Sequence, residues 1–390
     1  MWRLFGSDGL PLGPTGQLAG PAPYQTVSVG GARGGWLATW WGGGGVLYDA
    51  PIDSAGTTGT TNALTPSGEF ISPTGSRVSC SDAECLIAWA SQTSDAGTRL
   101  SLKPVSRAGL PTSPRLSIPI AAYPWDLAAL ENDGTHFAFA WQDTIGANGN
   151  DVFAAVYADG GLSAPVTVQG GPGEQYAPRM AVVNGQFVVC WTAFVVFVDS
   201  HVDCASFNAV TGLPEGSART VAVGPDGGSA QLSGLGRLDD DYLVMWASIT
   251  RDMVGNEADS ELLISRMGVD GGMLDPGGIS LGGGSSLTMA HSELAAAQRG
   301  TLLTYLLHRQ YSGMTAARFE TRSLALPCDG GCFSPDAGLP DAGSPDSGTV
   351  TSSDAAVAGV VGCQSSPTSG AVWLLSLLLP RALRRRARSA

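Results

Sequence analysis

Three kinds of side chain here have types and spacings that could do chemistry: seven cysteines, four histidines, and aspartates and asparagines gathered in two short stretches. Six of the cysteines fall into close pairs: Cys80 with Cys85, Cys190 with Cys204, and Cys328 with Cys332. Cys80 and Cys85 flank the four-residue turn Ser81–Glu84. Cys190 and Cys204 flank a loop centred near Phe197. Both placements suit cross-strand disulfides, and close pairing in a turn-rich, acidic chain points to an oxidising compartment. Cys328 and Cys332 alone are two ligands short of a metal site, so a third disulfide is predicted there. Cys363 is left over.

The remaining groups do not assemble a catalytic pattern. His136, His201, His291 and His308 stand apart, none in a His-x-x-x-His arrangement, which argues against zinc. No Gly-x-Ser-x-Gly elbow comes with an acid and a base. Gly42–Gly45 and Gly282–Gly284 do not lie between a strand and a helix, so they do not read as phosphate cradles. Asp143, Asn148, Asn150 and Asp151 share one loop, and Asp252, Asn256 and Asp259 share the equivalent loop of a later repeat. Hard oxygen ligands of this kind suit Ca²⁺. The same residues are what hairpin turns require, and turn chemistry is the reading preferred, with Asp143, Asp151, Asp252 and Asp259 kept as metal candidates. No catalytic residue and no cofactor is assigned.

What positions these groups is a recurring strand. Tyr242–Trp246 reads Tyr-Leu-Val-Met-Trp, and the phrase returns as Trp36–Trp40, Cys85–Trp89, Phe137–Trp141, Phe187–Trp191 and Thr301–Tyr305. The anchors Trp40, Trp89, Trp141, Trp191, Trp246 and Tyr305 are 49, 52, 50, 55 and 59 residues apart. A period near 50 residues built from short apolar runs is the signature of a radial or stacked β-architecture. The runs are nearly continuous, so each strand is buried on both faces, as between neighbouring blades. The repeat from Ser229 to Leu281 parses as a run around Gln231–Leu238, an acidic turn at Asp239–Asp241, the Trp strand Tyr242–Ala247, a polar loop Arg251–Asp259, a strand Glu261–Val269, an Asp270-Gly271 hairpin turn, and Ile279–Leu281 after a Pro-Gly-Gly bend. Four short strands are the content of one propeller blade.

Composition agrees. With 54 glycines and 24 prolines the chain favours turns over long helices, and only 14% of residues are charged, below the usual quarter. A net charge of −13 repels phosphate backbones and excludes nucleic acid as a partner.

The pattern carried by Tyr242–Trp246 and by Asp270-Gly-Gly-Met-Leu-Asp-Pro-Gly-Gly-Ile279 resembles that of bacterial exported β-propeller repeats, over roughly residues 1–325. That resemblance implies fold and is nearly silent on function. Thr93-Ser-Asp-Ala-Gly-Thr98 partly resembles the Asp-box turn of sialidase propellers but lacks the closing Thr-Trp, with Arg99 and Leu100 in its place. From Leu326 the composition changes to a five-residue repeat, Pro-Asp-Ala-Gly at Pro335 and Pro340 and Pro-Asp-Ser-Gly at Pro345, too poor in bulky apolar residues to fold. The end reads Gly362-Cys363, a short apolar run from Gly370 to Pro380, then arginines. This looks like a MYXO-CTERM sorting tail, which implies recognition at the membrane, cutting near the cysteine by an intramembrane sorting protease, and delivery to the cell surface. Its motif residues are Gly362, Cys363, Arg384, Arg385 and Arg386. The apolar run is shorter than the roughly 20 residues that span a bilayer.

The expectation is therefore an all-β propeller of six or seven four-stranded blades (1–325), a disordered linker (326–362) and a C-terminal sorting segment with a short apolar helix (363–390). The expected role is an exported, surface-displayed, non-catalytic binding or scaffold module with an extracellular glycan or protein ligand. The alternative is an exported, glycosidase-like hydrolase with a loop-built site on one propeller face. Residues 1–20 have no apolar run of a signal peptide and begin inside a repeat. Either the natural chain starts upstream, or the segment closes the ring against Met314–Glu320.

Overall fold

The computed structural model describes residues 27–324 apart from 33, 43–44, 66–69, 94–96, 122–128, 145–148, 171–172, 197–198, 226–227, 252–256, 285–286, 298–299 and 312–313, together with residues 3–5, 16, 18 and 372–374. Side chains are described for most of 27–282. Among the described residues every regular element is a strand. The chain opens with β1 (Arg3–Phe5). The first sheet is β2 (Val27–Ala32), β3 (Gly35–Gly42), β4 (Val46–Asp53) and β5 (Asn62–Ala63), in that order. The second is β6 (Phe70–Cys80), β7 (Cys85–Thr93), β8 (Gly97–Val105) and β9 (Leu116–Pro119). The third has β10 (Ala129–Asn132), β11 (Phe137–Thr144) and β12 (Asn150–Ala158), with both β13 (Gly161–Leu162) and β14 (Val166–Gln169) pairing β12.

The fourth sheet is β15 (Glu174–Val183), β16 (Gln186–Val196), β17 (Asp199–Phe207) and β18 (Pro214–Val223). The fifth is β19 (Ser229–Leu238), β20 (Asp241–Arg251), β21 (Glu257–Met267) and β22 (Ile279–Gly284). A single parallel bridge, Ser200 to Ser229, joins these two. The sixth is β23 (Leu287–Ala297), β24 (Gly300–Tyr311) and β25 (Met314–Leu324). The first strand of each sheet packs against the first strand of the next, from β2 to β6, β10, β15, β19 and β23. This is the blade arrangement of a β-propeller, with six blade-like sheets among the described residues. The sheets hold four strands in most cases, five in the third and three in the sixth.

The repeat is explained by one rung of the second strand. Trp40, Trp89, Trp141, Trp191 and Trp246 all lie on the second strands of their sheets and are 0–3% exposed. Tyr305 holds the corresponding place in the backbone of β24. β11 is buried from Phe137 to Asp143 without a break, because neighbouring sheets cover both of its faces. Trp141 is stacked between Phe139 and Phe153, with ring centroids 5.5 and 5.9 Å away. Close to this rung the first strands of four sheets carry a register shift, at Ile71/Ser76, Tyr176/Arg179, Leu232/Gly234 and Met289/His291. A bulge frees backbone groups, and a buried free N–H must find a partner. In two sheets the residue after the tryptophan of the preceding sheet supplies it. Gln142 Oε1 accepts from Ala177 N at 2.9 Å, and Thr192 Oγ1 accepts from Leu232 N at 2.9 Å.

The fifth sheet follows the sequence parse, with longer strands. β20 extends to Arg251 and β21 begins at Glu257, so the polar loop is shorter than expected. The acidic turn keeps Asp239 at φ 51°, while Asp241 already belongs to β20. The Leu-Asp-Pro-Gly-Gly phrase has a physical reason. Asp275 takes Arg266 Nε at 2.9 Å, Arg266 Nη2 at 3.0 Å and Arg266 N at 3.1 Å. Gly278, at φ 79°, leaves room for the Trp246 ring; a Cβ there would sit 2.6 Å from its Cη2.

The two ends are described only in short pieces. Arg3–Phe5 pairs antiparallel with β26 (Val372–Leu374) and not with residues 300–325, as closure by that segment would require. The expected C-terminal helix lies outside the described residues except at 372–374, which are strand. Among the described residues no helix is long and apolar enough to cross a membrane. The linker 326–362, Gly362, Cys363, the terminal arginines, Cys328 and Cys332 lie outside the described residues.

Candidate functional site

Antiparallel strands reverse direction at each turn, so the loops joining second to third strands and the connections between sheets emerge on one face. Of the acidic loops of the sequence, Asp143, Asn150, Asp151 and Asp259 are described and lie towards this end of their strands, while Asn148 and Asn256 lie outside the described residues. Asp143 is the second-last residue of β11 and the register partner of Asp151 on β12. Asp143 is 4% exposed, and its carboxylate accepts from Ala121 N at 3.0 and 3.2 Å and from Thr144 N at 2.8 Å. That is the work of a loop anchor. Asp259 Oδ1 likewise accepts from Ser260 N at 3.0 Å. Asp252 lies outside the described residues. Among the described residues no three His, Cys, Asp or Glu side chains gather where a metal could be held.

The predicted disulfides of the body are present. Cys80–Cys85 closes the hairpin between β6 and β7, and Cys190–Cys204 joins register partners on β16 and β17. Two of the histidines each lie beside a nearby aspartate: His136 Nδ1 is 2.9 Å from Asp133 Oδ2, and His201 Nε2 is 3.2 Å from Asp203 Oδ2. Thr93 and Thr98, the ends of the Asp-box-like stretch, are placed in the hairpin from β7 to β8.

What the structure brings together on this face was only half named by the sequence. Asn150, at the start of β12, meets Glu174, Gln175 and Tyr176, at the start of β15 in the next sheet. Thr144 Oγ1 donates to Asn150 Oδ1 at 2.6 Å. Asn150 Nδ2 donates to Glu174 Oε2 at 2.8 Å, and Asn150 N reaches the same oxygen at 3.2 Å. With its amide turned to satisfy both ends, Gln175 donates to Asp151 Oδ1 at 3.2 Å and to Asn150 O. Burial pushes the Tyr176 phenol above its ordinary pKa; its hydrogen bond to Glu174 and that carboxylate's charge add to this, and Asn150 opposes it. Tyr176 packs edge-on to Phe194 of β16, 5.3 Å between ring centroids.

The backbone is shaped to permit the cluster. Gly149, at φ 104°, lets Glu174 approach; a Cβ there would lie 3.0 Å from Glu174 Oε1 and 2.8 Å from Gly173 O. Directly after Tyr176 comes the bulge, with Ala177 at φ 50° ahead of Pro178. A non-glycine residue with positive φ costs free energy, and here the Gln142 bond holds it. Bulges re-aim the side chains beside them. A proline inside a strand was the available signal for this bend. Nothing in the sequence alone said that Asn150 and Glu174 would meet.

No family model and no curated protein matches the chain. Among solved structures it is similar to a subtype N10 neuraminidase-like protein of A/little yellow-shouldered bat/Guatemala, at 10% identity over 79% of this chain and 99% of that one, with a TM-score of 0.47. It is similar to the α-L-arabinofuranosidase Arb93A from Fusarium graminearum, at 10% identity over 78% and 95%, with a TM-score of 0.43. It is also similar to an ulvan lyase of polysaccharide lyase family PL25, at 10% identity over 83% and 86%, with a TM-score of 0.44.

Proposed function

We propose that this protein is an exported, surface-displayed propeller that binds a glycan at the Asn150–Glu174–Tyr176 face. The observation that carries the reading is the pairing there of a partly exposed aromatic edge, Tyr176 on Phe194, with amide and carboxylate groups supplied by two adjacent sheets. Sugars present vicinal hydroxyls beside an apolar ring face. An aromatic surface next to convergent amide and carboxylate groups matches both. Export is supported by the two disulfides, which an oxidising compartment maintains, and by the sorting-tail resemblance at Gly362, Cys363 and the terminal arginines. A sorting protease in the membrane is then a second partner. The test is a glycan and polysaccharide array probed with the purified body, followed by titration of the best hit. Tyr176→Ala and Glu174→Gln are each expected to weaken binding at least tenfold. A body that binds no glycan on the array sinks the reading.

A second reading rests on a different feature of the same face. Asp151 and Glu174 bring two carboxyl groups from neighbouring sheets to one cluster, bridged by Asn150 and Gln175. Paired carboxyl groups are what glycoside hydrolysis needs. Release of reducing ends from the bound glycan, lost in Glu174→Gln and in Asp151→Asn, supports hydrolysis. Binding without release leaves the propeller a lectin-like module.

A further inference from the structure

Away from that face, one buried carboxyl lies in the middle of a strand. Asp49, in the middle of β4, is 0% exposed. Its Oδ1 accepts from Asn62 Nδ2 of β5 at 2.8 Å, and its Oδ2, also buried, has no hydrogen-bond partner. Against it lies the turn Ser106–Leu110, which joins β8 to β9 in the next sheet. Gly109 of that turn, at φ 77°, is so close that a Cβ would stand 2.5 Å from Asp49 Oδ1. The Asn62 amide reaches across to Gly109 O at 3.5 Å. The carboxyl therefore sits in the junction between the first and second sheets, and the turn closes over it.

We propose that Asp49 makes this junction an acid-locked joint: the neutral carboxyl lets the Ser106–Leu110 turn and β5 close on β4, and loss of its proton releases them. A neutral carboxyl is tolerated in such a place, whereas an ionised one with a bare oxygen is expensive unless it is paired or reached by water. The groups placed against Asp49 are Asn62 from β5, Gly109 from the turn and, as its register partner on β3, Thr39; none of them titrates. The charged residues on those same elements are Arg107, whose guanidinium reaches toward Gly34, and Asp53, which takes Thr57 N at the far end of β4. Neither compensates the carboxyl. Burial first, offset by the Asn62 bond, moves its pKa up to about 7.

The sign follows from linkage. Below the ordinary carboxylate range Asp49 is neutral whether the joint is open or closed, and opening does not depend on pH. Between that range and about pH 7 only the open form ionises, so the opening constant rises up to tenfold per pH unit, about 10³ in all, and levels off above. Hydrogen exchange of the full chain, corrected for intrinsic rates and followed from pH 4.5 to 8.5, reads this. The reporters are Gly109 N, bonded to Ser106 O, and Leu64 N, bonded to Leu47 O. Their protection is expected to fall steeply toward pH 7, and Asp49→Asn is expected to flatten the fall. Should Asp49→Asn not fold, the turn Gly268–Leu274 of the fifth sheet serves as an internal control, since its Asp270 is exposed. A pH dependence at Ser106–Leu110 no steeper than at Gly268–Leu274, or one unchanged in Asp49→Asn, overturns the proposal.

Discussion

One residue before the tryptophan, the first and fourth sheets use the same rung for opposite chemistry. In the fourth, Cys190 faces Cys204 and a disulfide joins them, with both residues buried. In the first, Thr39 faces Asp49, and a buried carboxyl keeps one oxygen without a partner. The second, third and fifth sheets fill the rung with Ala88 and Leu102, Ala140 and Ala154, and Met245 and Ile264. The backbone ladder and the tryptophan beside it are common to all five. The comparison teaches that the tryptophan rung sets the architecture, while the rung before it is free to vary from inert to covalent to ionisable.

The largest effect should fall on the shared part. Trp191 and Trp40 are 0% and 1% exposed at equivalent places, so Trp191→Ala and Trp40→Ala should each cost about 3–5 kcal/mol in chemical denaturation. A Trp40→Ala cost below about 1 kcal/mol would break the equivalence of the two sheets. The next effect isolates Asp49. A carboxyl shifted from 3.8 to about 7 carries a penalty that is absent below pH 4, grows as pH rises toward 7 and stays constant above. At about 1.4 kcal/mol per pKa unit, that is roughly 4 kcal/mol at pH 8. Asp49→Asn should therefore be the more stable protein at pH 8, with its advantage gone by pH 4. An advantage of equal size at both pH values would mean that packing, and not charge, sets it.

Third comes the staple. The Cys190–Cys204 bond closes a loop with a sequence separation of 14, and removing such a bond typically costs about 3 kcal/mol. The double variant Cys190→Ala/Cys204→Ala should lose that much when Cys80–Cys85 is kept oxidised in both proteins, and full reduction of both should bring the wild type and the variant to the same stability. Placing a cysteine pair at Thr39 and Asp49 sharpens the comparison, since the same rung should accept it. Failure of that pair to oxidise would show that the first sheet holds the rung in a different geometry.

How much of this was legible in the sequence depends on the distance over which a cause acts. The Trp strands, the Asp270-Gly271 turn and the hairpin disulfide Cys80–Cys85 are local, and residue types at fixed spacing reveal them. The disulfide Cys190–Cys204 needed only the assumption that two adjacent strands pair. The candidate site was not legible. Asn150 belongs to a stretch that stood out for its oxygen ligands, but its partner Glu174 sits in the next sheet, beyond two short strands. The bulge that aims Tyr176 is set by Gln142 reaching Ala177, another contact between sheets. Asp49 was missed for a related reason: the sequence does not show that the Ser106–Leu110 turn of the second sheet comes to lie against it.

The smallest effect tests the reverse of Asp49, a carboxylate that is stabilised by its surroundings. Asp275 is held by hydrogen bonds and ion pairing from Arg266, which place its pKa below the ordinary carboxylate value against a smaller opposing burial cost. Its side chain and that of Arg266 are 19% and 25% exposed, so part of the attraction is screened by solvent. For a depressed acid the contribution is fully present above the unfolded pKa and is lost as pH falls through the folded one. Asp275→Asn should thus cost about 1–2 kcal/mol at pH 7, the range for charge-assisted hydrogen bonds, and the deficit should shrink as the wild-type carboxylate is protonated at acid pH. The two aspartates then give pH–stability curves of opposite slope, Asp275→Asn converging on wild type from below as pH falls and Asp49→Asn from above. Curves of the same slope would mean that burial, and not the Arg266 clamp, governs Asp275, and would remove the physical reason for the Leu-Asp-Pro phrase in the fifth sheet.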